Sequence, residues 1–279
     1  MRVSYLLIPI IFYTVYVLVP LFMYNDENVP VINFIDVGQG DSILIEYLNS
    51  TIFVDGGPDL SANYFMDSVK FFPFCSLDYI FISHPHSDHL FGFTKLLKRC
   101  TFKKLFFNDL KYDSKLVTNF VRDLNNSGYQ ILTIQAGDSL SLGDMTLYIL
   151  WPDWEYRNLI VQNPNYESIV ILIDYHDFEI LLTGDAEVEV LEIILKNSKE
   201  FFAGVIDGEL EILKVPHHGA VNGLHTGLYN YLNPKYCVIS VGQGNTYGHP
   251  DQKAIDFFEK SDCIMLRTDS EGNIIFKLE

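Results

Sequence analysis

Tyr79-Ile80-Phe81-Ile82-Ser83-His84-Pro85-His86-Ser87-Asp88-His89 is the stretch on which the reading of this chain turns. Its first half is β-branched or aromatic without a break, as a buried strand requires. Its second half packs three of the chain's eight histidines and one carboxylate onto the loop that leaves that strand. Residues two apart on an extended chain face the same side, so His84 and His86 can reach one cation together. Asp88 and His89 fall where the next helix begins, point differently and suit a second, adjacent ion. Imidazole with carboxylate is a ligand set of zinc and manganese. The expected cofactor is one or two divalent ions, Zn or Mn. A plain surface loop would have no reason to concentrate so uncommon a residue.

Two further strand ends offer partners. Phe178-Glu179-Ile180-Leu181-Leu182-Thr183-Gly184-Asp185 is an apolar strand that ends in a glycine and an aspartate, and Asp185 has two oxygens with which to bridge two cations. Leu213-Lys214-Val215-Pro216-His217-His218-Gly219 is again a strand, then a histidine pair, then a glycine. Turn chemistry explains either one alone. Their recurrence at strand ends, where α/β folds gather ligands, is what singles them out.

Around these segments short apolar runs alternate with helical patterns. Strands are expected over 32–36, 42–47, 51–55, 79–83, 104–108, 131–134, 145–150, 169–175, 178–183, 211–215, 236–241, 264–268 and 274–278. Helices are expected over 62–71, 93–98, 114–126, 187–196, 226–232 and 251–260, with Ser114 and Asp251 as N-caps. Mixed order implies an α/β layered fold. No short-period repeat or low-complexity linker interrupts it, so residues 30–279 read as one domain.

His84-Pro85-His86-Ser87-Asp88-His89 matches the HxHxDH signature of the metallo-β-lactamase fold superfamily. Asp36-Val37-Gly38-Gln39-Gly40-Asp41-Ser42, Phe53-Val54-Asp55-Gly56-Gly57, Thr183-Gly184-Asp185, Lys214-Val215-Pro216-His217-His218-Gly219, Ser240-Val241-Gly242 and Asn245-Thr246-Tyr247-Gly248-His249-Pro250 accompany it in order. The set resembles the C-terminal hydrolase domain of ComEC-type competence proteins and their free-standing relatives, from about Pro30 to the C-terminus. The resemblance implies a four-layer αββα sandwich with a metal site across the top of its two sheets. It implies His84 and His86 on a first ion, Asp88 and His89 on a second, and Asp185 bridging. His217 is the choice for the remaining ligand of the second site, with His218 as the alternative. Asp55 resembles the buried aspartate that hydrogen-bonds the histidine loop, and Asn165 and Ser168 sit where relatives carry Asn-x-x-Ser.

Many superfamily members place another ligand histidine between HxHxDH and the bridging aspartate. Here that interval holds only His176, in a hairpin turn at the opposite end of Asp185's own strand. Ala220 stands where relatives often have serine. The implied chemistry is phosphodiester hydrolysis, with DNA among the candidate substrates. Asp88 and Asp185 would accept the nucleophile's proton, and His218 or His249 would protonate the leaving oxygen or bind phosphate. His225 carries no pattern and reads as surface. Gly38-Gln39-Gly40-Asp41 lacks a P-loop's lysine and spacing and reads as a tight turn. A cell-wall phosphocholine esterase, a lactamase or a non-catalytic metal-binding module on the same scaffold are the competing functions. The HHG and YGHP patterns speak against the lactamase, and the intact HxHxDH set speaks against loss of catalysis.

Composition bounds these readings. With 36 acidic against 19 basic residues in 279, the net charge of −17 repels polyanions at long range, so nucleic acid would need a local positive feature such as bound metal. Residues 5–23 are nineteen residues without a charge, enough to span a bilayer. Arg2 precedes them while Asp26 and Glu27 follow, which puts the N-terminus inside and the hydrolase domain outside the cytoplasmic membrane. Residues 1–24 are thus expected to be an uncleaved, single-pass anchor, and a cleaved signal peptide is the rival. The membrane and a phosphodiester are the expected partners, with no protein partner. Cys75, Cys100, Cys237 and Cys263 form no CxxC pair and leave open thiols or up to two bridges.

Overall fold

The computed structural model describes residues 29–58, 75–98, 100–108, 114–160 and 163–279. The expected anchor over 1–24 and the expected helix over 62–71 lie outside them. Among the described residues no helix is long and apolar enough to cross a membrane.

The strands, in chain order, are β1 (Val31–Phe34), β2 (Ser42–Tyr47), β3 (Ser50–Gly56), β4 (Cys75–Ile82), β5 (Cys100–Phe107), β6 (Ile131–Leu132) and β7 (Ser139–Leu142), then β8 (Met145–Trp151), β9 (Val170–Tyr175), β10 (Phe178–Leu182), β11 (Ile212–Lys214), β12 (Tyr236–Ile239), β13 (Ile264–Arg267) and β14 (Ile274–Lys277). They form two seven-stranded sheets, β14-β1-β2-β3-β4-β5-β6 and β13-β12-β11-β10-β9-β8-β7. The period-2 alternation sorts their side chains into layers. Ile43, Ile45 and Tyr47 of β2 enter the core between the sheets, and so do Ile171, Ile173 and Tyr175 of β9. Leu44 and Phe53 of the first sheet face outward onto helices α1 (Ser87–Leu96) and α2 (Lys115–Asn126). Leu172 and Leu181 of the second face α3 (Val188–Val205), α4 (Thr226–Leu232) and α5 (Gln252–Lys260). This is the expected αββα sandwich. Three apolar clusters bury it without help from the histidines.

In each sheet one half is parallel: β3 to β6 in the first and β10 to β13 in the second. The loops after β3, β4, β10 and β11 therefore leave from strand C-terminal ends, where side chains from both sheets can converge. Helix α1 begins at Ser87, not at the expected 93, because its buried face opens with His89 before Leu90, Phe93 and Leu96. A Cβ on Gly92 would collide with the Gly56 carbonyl oxygen, and the Gly92 N–H donates to Gly57 O at 2.9 Å. This backbone-to-backbone approach locks the histidine-bearing turn onto the end of β3. Ser114 and Asp251 cap α2 and α5 through Val117 N and Lys253 N, as expected. A disulfide joins Cys237 of β12 to Cys263, with Cα atoms 6.0 Å apart, and Cys100 is also disulfide-bonded.

Candidate metal centre

The turn after β4 carries the histidines, and Asp55 at the end of β3 organises it. Asp55 is fully buried with φ at +58°, a left-handed conformation that aspartate tolerates better than most residues. Its carboxylate accepts from Ser83 N at 2.7 Å, Ser83 Oγ at 2.6 Å and His89 Nδ1 at 2.8 Å. A hydrogen bond at Nδ1 fixes the ring orientation and leaves His89 Nε2 to face the centre. Ser83 Oγ also lies 3.0 Å from His84 Nδ1. His84 Nε2 and His86 Nδ1 are 3.0 Å apart, so the two rings do meet as the spacing implied.

Asp185 is the focus. Its Oδ2 lies 3.3 Å from His89 Nε2, 3.5 Å from His218 Nε2, and 3.8 Å from both His84 Nε2 and His217 Nε2. Ser168 Oγ accepts the Asp185 backbone N–H at 3.1 Å, which gives Ser168 a direct role in aiming that loop. Three groups of possible ligands result among the described residues, His84–His89–Asp185, Asp88–His89–His218 and, behind His89, Asp41–Asp55–His89. Of the histidine pair, His218 falls within these groups and the expected His217 does not. His218 is buried, its Nε2 is 3.4 Å from Asp88 Oδ2, and its Nδ1 is held by Ser240 O at 2.9 Å. His217 is partly exposed and leans its Nδ1 toward Glu187 Oε1 at 3.8 Å. The adjacent rings diverge because both residues adopt positive φ, 51° and 54°, in a turn tighter than a strand. Asn165 Nδ2 donates to Glu187 Oε1 at 2.8 Å, so it steadies the glutamate beside His217.

Three contributors escaped the sequence reading. Asp41, in the turn taken as purely structural, is buried, with Oδ1 3.5 Å from His218 Nδ1. Lys214 is buried at the end of β11, ion-paired with Asp41. Its Nζ donates to Gly184 O at 2.8 Å and lies 3.7 Å from Asp185 Oδ1. A lone lysine inside Ile212-Leu213-Lys214-Val215 was the available signal, since an unpaired ammonium would not be buried there. Glu187 is the third.

The donor set fits divalent cations. Asp41, Asp55 and Asp185 are buried and Asp88 partly so, yet Lys214 is the one buried ammonium among them. His89 Nε2, His218 Nε2 and Asp185 Oδ1 are buried without a hydrogen-bond partner among the described residues. Surplus negative charge with converging unsatisfied nitrogen and oxygen atoms is what bound cations relieve. Without them, protons take that place. Burial opposes it, but Asp185 with Asp41 and Asp88 holds His218 up to about 9, and Asp185 with Asp55 raises His89. Asp185 is kept well below the usual carboxylate value, against its burial, by His218 and His89. Metal uptake must then release protons.

Other histidines fall where their surroundings put them. His249 is half-buried, its ring 5.7 Å from that of His217, and burial and His217 hold its pKa below the usual value. His176 occupies the β9–β10 turn, away from the centre, 3.8 Å from Asp144. His225 is no idle surface residue: its Nδ1 accepts from Leu228 N at 2.9 Å and caps α4.

Comparison with known proteins agrees with this geometry. A family model described as the metallo-β-lactamase superfamily matches residues 35–106. ComE operon protein 3 of Bacillus subtilis is 25% identical over 264 residues, covering 88% of this chain and 33% of its own length. Competence protein ComA of Neisseria gonorrhoeae is 25% identical over 256 residues, covering 90% of this chain and 33% of its own. The chain thus spans about a third of the length of these curated relatives. Among solved structures, the metallo-β-lactamase fold protein YhfI from Bacillus subtilis shares the fold with a TM-score of 0.56 at 13% identity, over 90% of this chain and 100% of that one. Two sheets with their helices, the ordered motifs and these matches together show that the chain carries the metallo-β-lactamase fold and is related to the ComEC-type competence proteins.

Proposed function

We propose that the chain is a metal-dependent phosphodiesterase, acting on nucleic acid outside the cytoplasmic membrane. The observation that carries this is the convergence on Asp185 Oδ2 of His84, His89 and His218, with Asp88 reaching the same His218 nitrogen. His84, His86 and Asp185 would hold a first ion, and Asp88, His89 and His218 a second, with Asp185 shared. When bound, divalent ions supply a lowered water pKa and polarised phosphoryl oxygens. The residues do the rest. Asp88 and Asp185 present carboxylate oxygens that can take a proton from the attacking water. His249, beside His217 at the rim, offers an imidazole to the phosphate or the leaving oxygen. Asp55, Ser83 and Ser168 keep the ligands from turning away.

The relative named as a competence protein supports a nucleic-acid substrate. The uncharged N-terminal run and the Cys237–Cys263 disulfide support a location on the oxidising side of the membrane. The test is cleavage of oligonucleotides and a simple phosphodiester by the purified, zinc- or manganese-loaded chain. Asp185→Asn keeps the shape but removes the charge between two cations, so it should lose nearly all activity. Equal cleavage by wild type, Asp185→Asn and a chelated sample would end the proposal.

A further inference from the structure

Near the centre stands an aromatic ring left largely in water. Tyr247 is 70% exposed, the highest value among the described large hydrophobic side chains. Its ring lies nearly parallel to that of His249, with centroids 6.1 Å apart and planes 11° from coplanar. His249 in turn abuts His217, whose Nε2 is 3.8 Å from Asp185 Oδ2. The rings form a row that leads from the centre outward and ends in an open aromatic face.

The loop that carries this row is held firmly. Asn245 Oδ1 accepts from both Tyr247 N and His249 N at 3.1 Å, while its Nδ2 donates to Gly242 O at 3.0 Å and His249 O at 2.6 Å. After the loop, Asp251 N donates to Gly219 O at 2.9 Å, tying it to the turn of the histidine pair. A backbone held so firmly fixes where the Tyr247 ring is presented, so less order has to be gained when something stacks on it. A large aromatic left in water beside a reaction centre, on a backbone built to hold it there, calls for a flat apolar ligand.

We infer that Tyr247, backed by His249, is a stacking platform for a nucleobase of the strand whose phosphate lies at the metal centre. This rests on the phosphodiesterase reading above and narrows it to single-stranded substrate, because a base inside a duplex already has both faces covered. Charge points the same way. Residues 241–250 contain no lysine or arginine in a chain of net charge −17, so this loop adds no ammonium or guanidinium contact to a strand's backbone. What it offers the strand beyond the scissile phosphate is stacking. Tyr247 is a specificity residue, and it takes no part in the bond-breaking step.

The test measures binding and cleavage separately on the intact zinc-loaded chain, with a labelled single-stranded oligodeoxynucleotide, an abasic strand of equal length and a duplex. Tyr247→Ala should weaken binding of the single strand about tenfold, within the roughly 5- to 150-fold span that single-base stacking covers. It should leave the abasic strand within twofold, and Tyr247→Phe should behave as wild type. The loss in cleavage should fall on KM with kcat retained. Equal Kd of wild type and Tyr247→Ala for the single strand, or an equal loss on the abasic strand, overturns the platform. If wild type binds the single strand through Tyr247 but cleaves no phosphodiester, the proposed function fails and the platform stands.

Discussion

Replacing Lys214 by methionine tests whether the buried charge network is as tightly coupled as its geometry implies. Methionine keeps the unbranched stem and removes only the ammonium. That ammonium is fully buried, ion-paired with Asp41 and hydrogen-bonded to Gly184 O. Removing it leaves Asp41, itself 1% exposed, as a carboxylate with His218 Nδ1 at 3.5 Å and His89 Nδ1 at 3.9 Å, both beyond hydrogen-bond reach or held by other acceptors. Breaking one side of such a pair costs about 3–5 kcal/mol, which is a large share of the roughly 5–15 kcal/mol that a domain has. Asp41→Asn, which strands the lysine instead, should cost a similar amount. The double variant should cost less than the sum, with a coupling of about 2–3 kcal/mol. Urea unfolding followed by circular dichroism, in chelator so that metal does not contribute, reads all four chains. A Lys214→Met chain within about 1 kcal/mol of wild type, or strictly additive effects, would refute the reasoning.

Three further outcomes follow. Burial and then Glu211 push Glu179 from 4.5 up to about 8, so the folded chain holds a proton that the unfolded chain has released. Stability should therefore fall as pH rises from about 4.5 to 8, and Glu179→Gln should gain on wild type across that window, so that its advantage is larger at pH 9 than at pH 4; an identical difference in Tm at both pH values would contradict this. His218→Ala should bind fewer metal ions by elemental analysis than His217→Ala, and the reverse order would return the ligand role to His217. Protease added to intact cells should digest the domain after residue 24, whereas full protection, or a mature chain that starts beyond residue 23, would remove the anchored topology.

Most of the fold was legible because its strands are apolar runs with β-branched residues and sharp Gly, Asn and Asp boundaries. The strand expected over 42–47 is the observed Ser42–Tyr47. Strand β7 was missed: Ser139-Leu140-Ser141-Leu142 is a short, half-polar strand at the edge of its sheet, paired with β8. The start of α1 was misplaced because a buried histidine counts as polar in any periodicity. At the site, residues clustered in sequence were legible and residues that meet only in space were not. Asp41 and Lys214 come from different sheets, and nothing local to either reports the other. The divergence of His217 and His218 depends on two consecutive left-handed residues, which no pattern of residue types announces.

Metal content of the purified chain is the most direct test of the central claim, that four histidines with Asp88 and Asp185 form a cation site on an already folded sandwich. After reconstitution with zinc or manganese, elemental analysis should find one to two ions per chain, and His86→Ala should lose metal while its circular dichroism spectrum stays that of the wild type. No bound metal in the reconstituted wild type would contradict the account.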